Sequence, residues 1–198
     1  MQNVQGVWSG GGSGSDVGNG IDVDLSGNAY VTGYFTGTTT FGSTNLTSSG
    51  GFDIFVAKMD TNGSWQWAVK AGGSLTDYGY GIAVDSSGNA YATGYFQGTA
   101  AFGNTILTSS TAAAGGGDSE IFIAKLSSSG SWGWAMAAGG SSNEYGYGIA
   151  IDANGFVHLT GSFSGTSTFR GDSLTSAGGT DVFVWRTQAG PIITSVSP

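Results

Sequence analysis

The sequence contains no cysteine, one histidine, and charged residues at only 9% of its positions. Without cysteine the chain has no disulfide bond, thiolate metal site or thiol nucleophile. The sole histidine, His158, belongs to no Ser-His-acid pattern, so we expect no enzyme activity. Low charge combined with six Trp, eight Tyr and 11 Phe residues differs from a disordered composition and supplies a hydrophobic core.

Basic residues are scarce as well. Five Lys and Arg residues against 13 Asp and Glu residues give a formal net charge of −8, which repels nucleic acid and anionic lipid, so we expect neither partner. No segment approaches the roughly 20 apolar residues of a membrane helix, and we expect no membrane insertion. The first nine residues lack a charged segment followed by a hydrophobic run, so we expect any export signal to be absent from this sequence.

One repeat runs through the chain three times. The pentapeptide GIDVD at residues 20–24 recurs as GIAVD at 81–85 and as GIAID at 148–152, at offsets of 61 and then 67. The six extra residues fall in the Ser/Ala/Gly stretch 110–117, which we predict to be a loop. We place the repeats at about 16–76, 77–143 and 144–190, within one unit spanning 1–190, and we interpret 191–198 as a linker or tail.

Each repeat predicts four strands, which we label a to d. In the first repeat these are residues 20–24, 29–35, 54–57 and 65–70, and a short ribbon between b and c contains Phe41 and Leu46. Strand b carries bulky groups on both faces, and a sheet with two apolar faces needs cover on both sides. Radial stacking of such sheets gives a β-propeller. We therefore predict an all-β fold, a β-propeller of three four-stranded blades of about 61 residues each. We prefer it to a β-trefoil, which also has three units, because those units are usually shorter.

The register places part of a fourth strand at the N-terminus. Subtracting 61 from Trp65, Trp67 and Val69 of strand d gives Val4, Gly6 and Trp8. We therefore expect a strand at residues 3–9 to supply the missing fourth strand of a third-repeat blade. Three blades are too few for a ring, since propellers have four or more. Two expectations follow: a homo-oligomer that completes the ring, with a dimer giving six blades, or a fragment of a larger propeller.

The phrase GIAVDSSGNAYATGYF at residues 81–96 resembles the SBBP repeat family, the β-propeller repeats of bacterial secreted and surface proteins. The resemblance covers nearly the whole chain, although the third repeat departs from it with Phe156-Val157-His158 and Trp185-Arg186. It implies a non-catalytic propeller module of a larger protein, located outside the cell or at its surface, and it provides no functional residues. Residues 191–198 resemble the opening of an immunoglobulin-like TIG module.

Acidic residues recur at fixed places in the repeat. Stacked around an axis, such residues could form rings that hold Ca²⁺, the one cofactor that we consider. An Asp just before a Ser-Gly-Asn turn can instead cap that turn with its own side chain. The candidate metal ligands are the set Asp24, Asp85 and Asp152. Two further sets of acidic residues recur in the same way: the first is Asp16, Asp77 and Glu144, and the second is Asp53, Glu120 and Asp181.

All eight tyrosines lie in repeated segments. The best candidates for ligand contact precede strand a: Tyr78, Tyr80, Tyr145 and Tyr147, which the first repeat replaces with Val17 and Asn19. Exposed rings could stack on sugars, and blade packing is the alternative use of these rings. We predict a non-catalytic scaffold or protein-binding module; a glycan-binding, lectin-like propeller with one aromatic-lined site per blade is the alternative.

Overall fold

The computed structural model describes residues 6–111 and 117–188, and in these ranges all regular structure is β. These ranges contain no helix, so none there is long and apolar enough to span a membrane. The predicted TIG-like tail and part of the predicted 110–117 loop lie outside the described residues. The following paragraphs give the strands by repeat, with strands a, b, c and d taken in that order.

The first repeat forms four strands and a ribbon, preceded by a short strand. The short strand is β1 (Gly11–Gly12). Strands a to d are β2 (Asp16–Val23), β3 (Ala29–Phe35), β6 (Asp53–Met59) and β7 (Trp65–Gly73). The ribbon consists of β4 (Thr38–Phe41) and β5 (Thr44–Thr47).

The second repeat has the same plan, and the third has three strands. In the second repeat strands a to d are β8 (Tyr78–Val84), β9 (Ala90–Gln97), β12 (Ser119–Leu126) and β13 (Trp132–Gly140). Its ribbon is β10 (Thr99–Phe102) and β11 (Thr105–Thr108). In its described part, the third repeat has β14 (Tyr145–Ile151), β15 (Phe156–Phe169) and β16 (Asp172–Gln188). The two long strands, β15 and β16, also include the ribbon.

Each repeat forms one antiparallel blade, as the strand pattern predicts. Strands pair in the order a-b-c-d in the first two repeats, and a-b-c in the third. The tight turn between c and d in the first repeat uses Gly63 at φ 83°, a left-handed angle that glycine adopts without strain. The observed strands a, c and d are longer than predicted, because they also include glycine and polar residues, such as Gly18, Asp53 and Gly72, that an apolar pattern does not mark.

The blades stack side by side with their a strands adjacent. Asn19 Nδ2 donates to the carbonyl oxygen of Gly79 at 2.8 Å, and the Val84 amide donates to Asp22 Oδ2 at 2.8 Å, so polar bonds link a strands of successive repeats. Each blade thus has a trailing face toward the next repeat and a leading face toward the previous one. Ile54 and Val56 on the first trailing face share a core with Phe122 on the second leading face. The second and third blades share an equivalent core.

The ribbon differs from the prediction in one respect. Its side chains pack on its own blade, as expected: the rings of Phe102 and Phe122 lie 4.9 Å apart. Its backbone, however, extends the sheet of the preceding repeat, because Ala100 and Ala101 of β10 pair with Gly73 and Gly72 of β7. The ribbon therefore joins two blades through hydrogen bonds, which side-chain periodicity alone does not reveal.

The N-terminal segment only partly matches its predicted place. Part of the predicted strand at residues 3–9 lies outside the described residues, and 6–9 form no strand. The pairing begins at β1, where Gly11 and Gly12 pair with Thr40 and Thr39 of β4. In the described part of the chain β16 pairs only with β15, so closure of the third blade by this segment stays a prediction.

Candidate ligand-binding site

A β-bulge at the same point of every strand a forms the base of the candidate site. The pairing register of a with b shifts between Gly18 and Gly20 in the first repeat, and at the equivalent glycines of the other two. The extra residue of each bulge is Asn19, Tyr80 or Tyr147. A bulge redirects the side chain of its extra residue, and bulges are common beside functional sites. The flanking glycines allow the a strands to approach one another closely: a Cβ atom on Gly81 would lie 2.9 Å from the Tyr147 carbonyl oxygen.

Seven aromatic rings gather around these bulges, and we call them the aromatic cluster. Tyr34 stacks on Tyr78 with ring centres 3.9 Å apart, across the first and second repeats. Tyr80 reaches Tyr147 of the third repeat at 5.4 Å. The remaining contacts between ring centres are 5.1 to 6.1 Å long. The members of the cluster are Tyr34, Phe52, Tyr78, Tyr80, Tyr95, Tyr145 and Tyr147.

The cluster is partly open to solvent. Tyr147 is 50% exposed, Tyr95 is buried beneath the surface, and the other five rings are half-buried. Among hydrogen bonds between described residues, tyrosine hydroxyls take part only through Tyr30 and Tyr91, so the six hydroxyls of the cluster have no protein partner there. Burial, and then the neighbouring tyrosines led by Tyr147, raise the pKa of Tyr80 to about 12. The site therefore offers neutral hydroxyls and apolar ring faces.

The structure brings all four predicted tyrosines together, but in a different arrangement from the predicted one site per blade. Tyr78, Tyr80, Tyr145 and Tyr147 belong to one continuous cluster that spans three repeats. The sequence-based prediction also omitted Tyr34, Phe52 and Tyr95. Tyr34 and Tyr95 were visible as the repeated Gly-Tyr-Phe at the end of strand b, which lies at the same end of the blade as the start of strand a.

The candidate metal ligands Asp24, Asp85 and Asp152 each bind their own turn. Asp85 Oδ1 accepts hydrogen bonds from the amides of Ser87 and Asn89, both at 2.9 Å, and its Oδ2 accepts from Asn89 Nδ2 at 2.8 Å. Asp24 and Asp152 accept equivalent backbone bonds. Although burial raises the pKa of Asp24, hydrogen bonds from Asn28, Lys58 and Ser26 lower it to about 2.

This geometry agrees with the turn-capping interpretation of these three residues. No group of three or more His, Asp or Glu side chains within residues 6–111 and 117–188 is arranged to hold a metal ion. A calcium role for Asp24, Asp85 and Asp152 stays a prediction. Melting temperature measured during calcium titration tests it, and an unchanged value at millimolar calcium would contradict it.

Two other carboxylates pair in each blade junction, an arrangement that the sequence-based prediction missed. Asp53 of the first repeat and Asp77 of the second are fully buried and flank Gly72, where a Cβ atom would lie 2.8 Å from Asp53 Cγ and 2.9 Å from Asp77 Oδ2. Glu120 and Glu144 flank Gly139 in the same way at the next junction. We call these the junction carboxyl pairs. The two repeated sets of acids were visible in the sequence, but their pairing depends on which blades are neighbours.

Burial controls the ionisation of the junction carboxyl pairs. It raises the pKa of Asp77 to about 7, against the lowering effect of hydrogen bonds from the Gly73 and Gln97 amides. It likewise raises the pKa of Glu144 to about 7, and it raises the pKa of Asp53. Asp53 Oδ1 is buried without a hydrogen-bond partner, and a proton on Asp77 would lessen the repulsion between the two carboxylates. Asp53 and Asp77 are both inaccessible to solvent.

His158 replaces the tyrosine of the other repeats and keeps its contact. Its Nε2 lies 3.2 Å from Oδ2 of Asp152, where Tyr91 Oη in the second repeat lies 3.2 Å from Oδ2 of Asp85. His158 therefore takes part in the turn at the start of strand b.

Antiparallel blades with adjacent a strands and repeated junctions define the chain as a β-propeller repeat protein. Two segments of the chain, residues 9–42 and 66–95, match the model of the SBBP family, which is described as a beta-propeller repeat. The chain is also similar to an uncharacterized WD repeat-containing protein of Acanthamoeba polyphaga mimivirus, with 28% identity over 180 residues. That alignment covers 79% of this chain and 13% of the viral protein, so the chain spans only a small part of that relative.

Proposed function

We propose that this chain is a non-catalytic binding module whose ligand sits on the aromatic cluster. The observation that carries the proposal is the bulge in strand a, which turns Tyr80 and Tyr147 toward each other at the open end of the blade stack. A side chain that a bulge redirects and leaves half exposed contributes little to packing between blades. The propeller repeat and the WD repeat relative support a scaffold or binding role, because both are scaffold-type folds.

The leading ligand class is a protein segment, held on a mostly apolar surface. Tyrosine is enriched at protein interfaces because it combines a large apolar face with a polar tip. Partly exposed tyrosine rings offer this combination without exposing a charged group of their own. The resemblance to repeats of secreted and surface proteins supports an extracellular or cell-surface location as part of this proposal, and fractionation of the producing cells would test that location.

A glycan is the second candidate ligand, favoured by the six hydroxyls that have no partner among the described residues. Sugars present apolar faces that stack on aromatic rings and hydroxyls that need hydrogen-bond partners. The continuous cluster supports one extended site, so binding should saturate at one glycan per chain. A stoichiometry of one per blade would contradict this arrangement.

Selection from a displayed peptide library and a glycan array, both with the purified chain, test the two ligand classes. The variant Tyr147→Ala should weaken any selected ligand about tenfold or more, as loss of an aromatic anchor does. Leu174→Ala is the matched control, because Leu174 is also an exposed apolar residue of the third repeat but lies outside the cluster. Absence of saturable binding in both screens would contradict the proposal, as would equal loss of binding in the two variants.

A further inference from the structure

On the leading face of the first blade, strand a is exposed where its equivalent in the second blade is covered. Ile21 and Val23 on strand a are 68% and 58% exposed. At the position of Ile21 the second repeat has Ile82, which is buried in the core between the first and second blades. The first blade therefore presents, along strand a, part of the apolar surface that the second blade uses to bind a neighbour.

The trailing face of the third blade is exposed in the complementary way. Val182 and Val184 on strand c are each 75% exposed. Their equivalents Ile121 and Ile123 are fully buried against the third blade. The chain thus carries, at its two ends, the two halves of a blade junction that it forms twice internally.

The backbone at the two ends is complementary as well. Gly11 and Gly12 pair with the first ribbon as Gly72 and Gly73 pair with the second, so these two residues lie where the end of a strand d of a preceding blade belongs. At the other end β16, a strand c, has no strand d beside it in the described part of the chain. By the register of the first blade, Val182 would face Gly10 and Val184 would face Trp8 of such a strand.

Each end also holds one member of a junction carboxyl pair. Asp16 accepts a bond from the Gly12 amide at 2.8 Å, as Asp77 does from Gly73. Asp181 accepts a bond from the Ala177 amide at 2.7 Å, matching the bond from the Ser49 amide to Asp53. Among the described residues, Asp16 Oδ1 is buried and has no hydrogen-bond partner, as is true of Asp53 Oδ1 in the complete pair. The side chains are therefore already arranged as they are in the internal junctions.

We propose that a second copy of this chain occupies these end faces, with the third blade of each copy packing on the first blade of the other. Residues 6–10 of one copy add to β16 of its partner as the fourth strand, and Val182 and Val184 cover Ile21 and Val23. Asp181 of one copy then lies beside Asp16 of the other, which completes a further carboxyl pair at the same place in the repeat. The occupant is a second copy because the chain's own repeats already show these two faces fitting together.

The contact is head-to-tail, so its closure depends on the rotation between blades. A heterologous contact that closes after two copies gives two identical junctions and leaves no free end. Three blades from each copy then form a ring of six, within the four to eight of typical propellers. Closure also covers the strand edge of β16, which would otherwise be open to pairing with other chains. This inference is independent of what the aromatic cluster binds.

Sedimentation velocity on the purified 198-residue chain tests the assembly, with a mass of twice 19.9 kDa expected at micromolar concentration. Val182→Asp and Ile21→Asp each place a carboxylate in every junction, so each variant alone should be a monomer. Ile106→Asp is the matched control, since Ile106 is 58% exposed on the ribbon of the second blade and away from both ends. This control should keep the doubled mass.

Mixing the two end variants distinguishes head-to-tail contact from any other. An equimolar mixture of Val182→Asp and Ile21→Asp can form one junction from the two unaltered faces, and it should show a complex of doubled mass that neither variant forms alone. Circular dichroism identifies a variant that fails to fold, and the mixture would then be made with Val184→Asp or Val23→Asp. A wild-type chain that stays monomeric, assembles to another mass, or yields variants that do not complement would overturn the proposal.

Discussion

Ile123 in the second repeat and Val184 in the third occupy the same position of strand c in opposite surroundings. Ile123 is fully buried, whereas Val184 is 75% exposed. Both residues are β-branched and apolar and lie on strands of the same register, so the difference comes entirely from the presence of a following blade. In a stacked-sheet protein, burial at a given position is therefore a property of the neighbour as much as of the repeat.

The largest expected effect comes from truncating these two side chains. Ile123→Ala leaves a cavity in a closed core and should lower the free energy of unfolding by about 2 to 5 kcal/mol. Val184→Ala removes apolar surface that is already exposed to solvent in the single chain. It should lower the free energy of unfolding by under about 1 kcal/mol at nanomolar concentration. Urea unfolding at several protein concentrations measures both changes.

The Val184→Ala variant also bears on assembly. If two copies cover this face, its unfolding midpoint should move further from that of the wild type as the concentration rises, whereas the Ile123→Ala difference should stay constant. Equal costs for the two substitutions at nanomolar concentration would show that the third blade is covered in some other way.

The repeat made the blade strands predictable, whereas the contacts between blades needed the structure. The register alone placed strand b at residues 29–35, which are the bounds of β3. The register could not show that Asp53 contacts Asp77, because these two acids belong to different repeats and also to different repeated sets. It also could not show the bulge at Tyr80, since an extra residue in one strand alters pairing without altering the spacing between repeats.

The next largest effect is a difference in stability between two glycine variants, one beside a complete junction carboxyl pair and one beside an acid whose partner is missing in the single chain. Gly139→Ala would bring a Cβ atom to within 2.6 Å of Glu120 Cγ and 2.7 Å of Glu144 Oε2. The equivalent Cβ at Gly11 has Asp16 Oδ2 as its nearest neighbour, at 3.5 Å, which is ordinary contact. Gly139→Ala should therefore destabilise the chain by about 1 to 3 kcal/mol, as overpacking does, and Gly11→Ala should be nearly neutral.

Thermal unfolding of the two glycine variants at nanomolar concentration measures this contrast. Assembly would add Asp181 of a partner beside Gly11, so Gly11→Ala should also weaken the doubled mass in sedimentation. A destabilisation by Gly11→Ala as large as that by Gly139→Ala, in the single chain, would mean that the two glycines have equivalent surroundings after all.

The smallest effect is the pH dependence of the complete junctions. The pKa values of Asp77 and Glu144 are 3.8 and 4.5 in an unfolded chain, and burial raises both to about 7 in the native chain. Between these limits the native state holds protons that the unfolded state has released, so the free energy of unfolding falls as pH rises from about 4.5 to 7.5. We expect a loss of about 1 to 2 kcal/mol, well below the full value of the two shifts, since water entry and relaxation reduce such effects.

The neutral variants Asp77→Asn and Glu144→Gln keep the shape of each pair and should flatten this slope. Asp16→Asn is the matched control, because no second carboxylate of the described residues lies beside Asp16 in the single chain. The slope should persist in this variant, since Asp77 and Glu144 are unchanged. Below about pH 4 the opposite trend begins, because the pKa of Asp24, lowered to about 2, makes its turn weaker on protonation. Stability should therefore peak on the acid side of neutral, and urea unfolding across this range would contradict the prediction if stability rose steadily from pH 4.5 to 7.5.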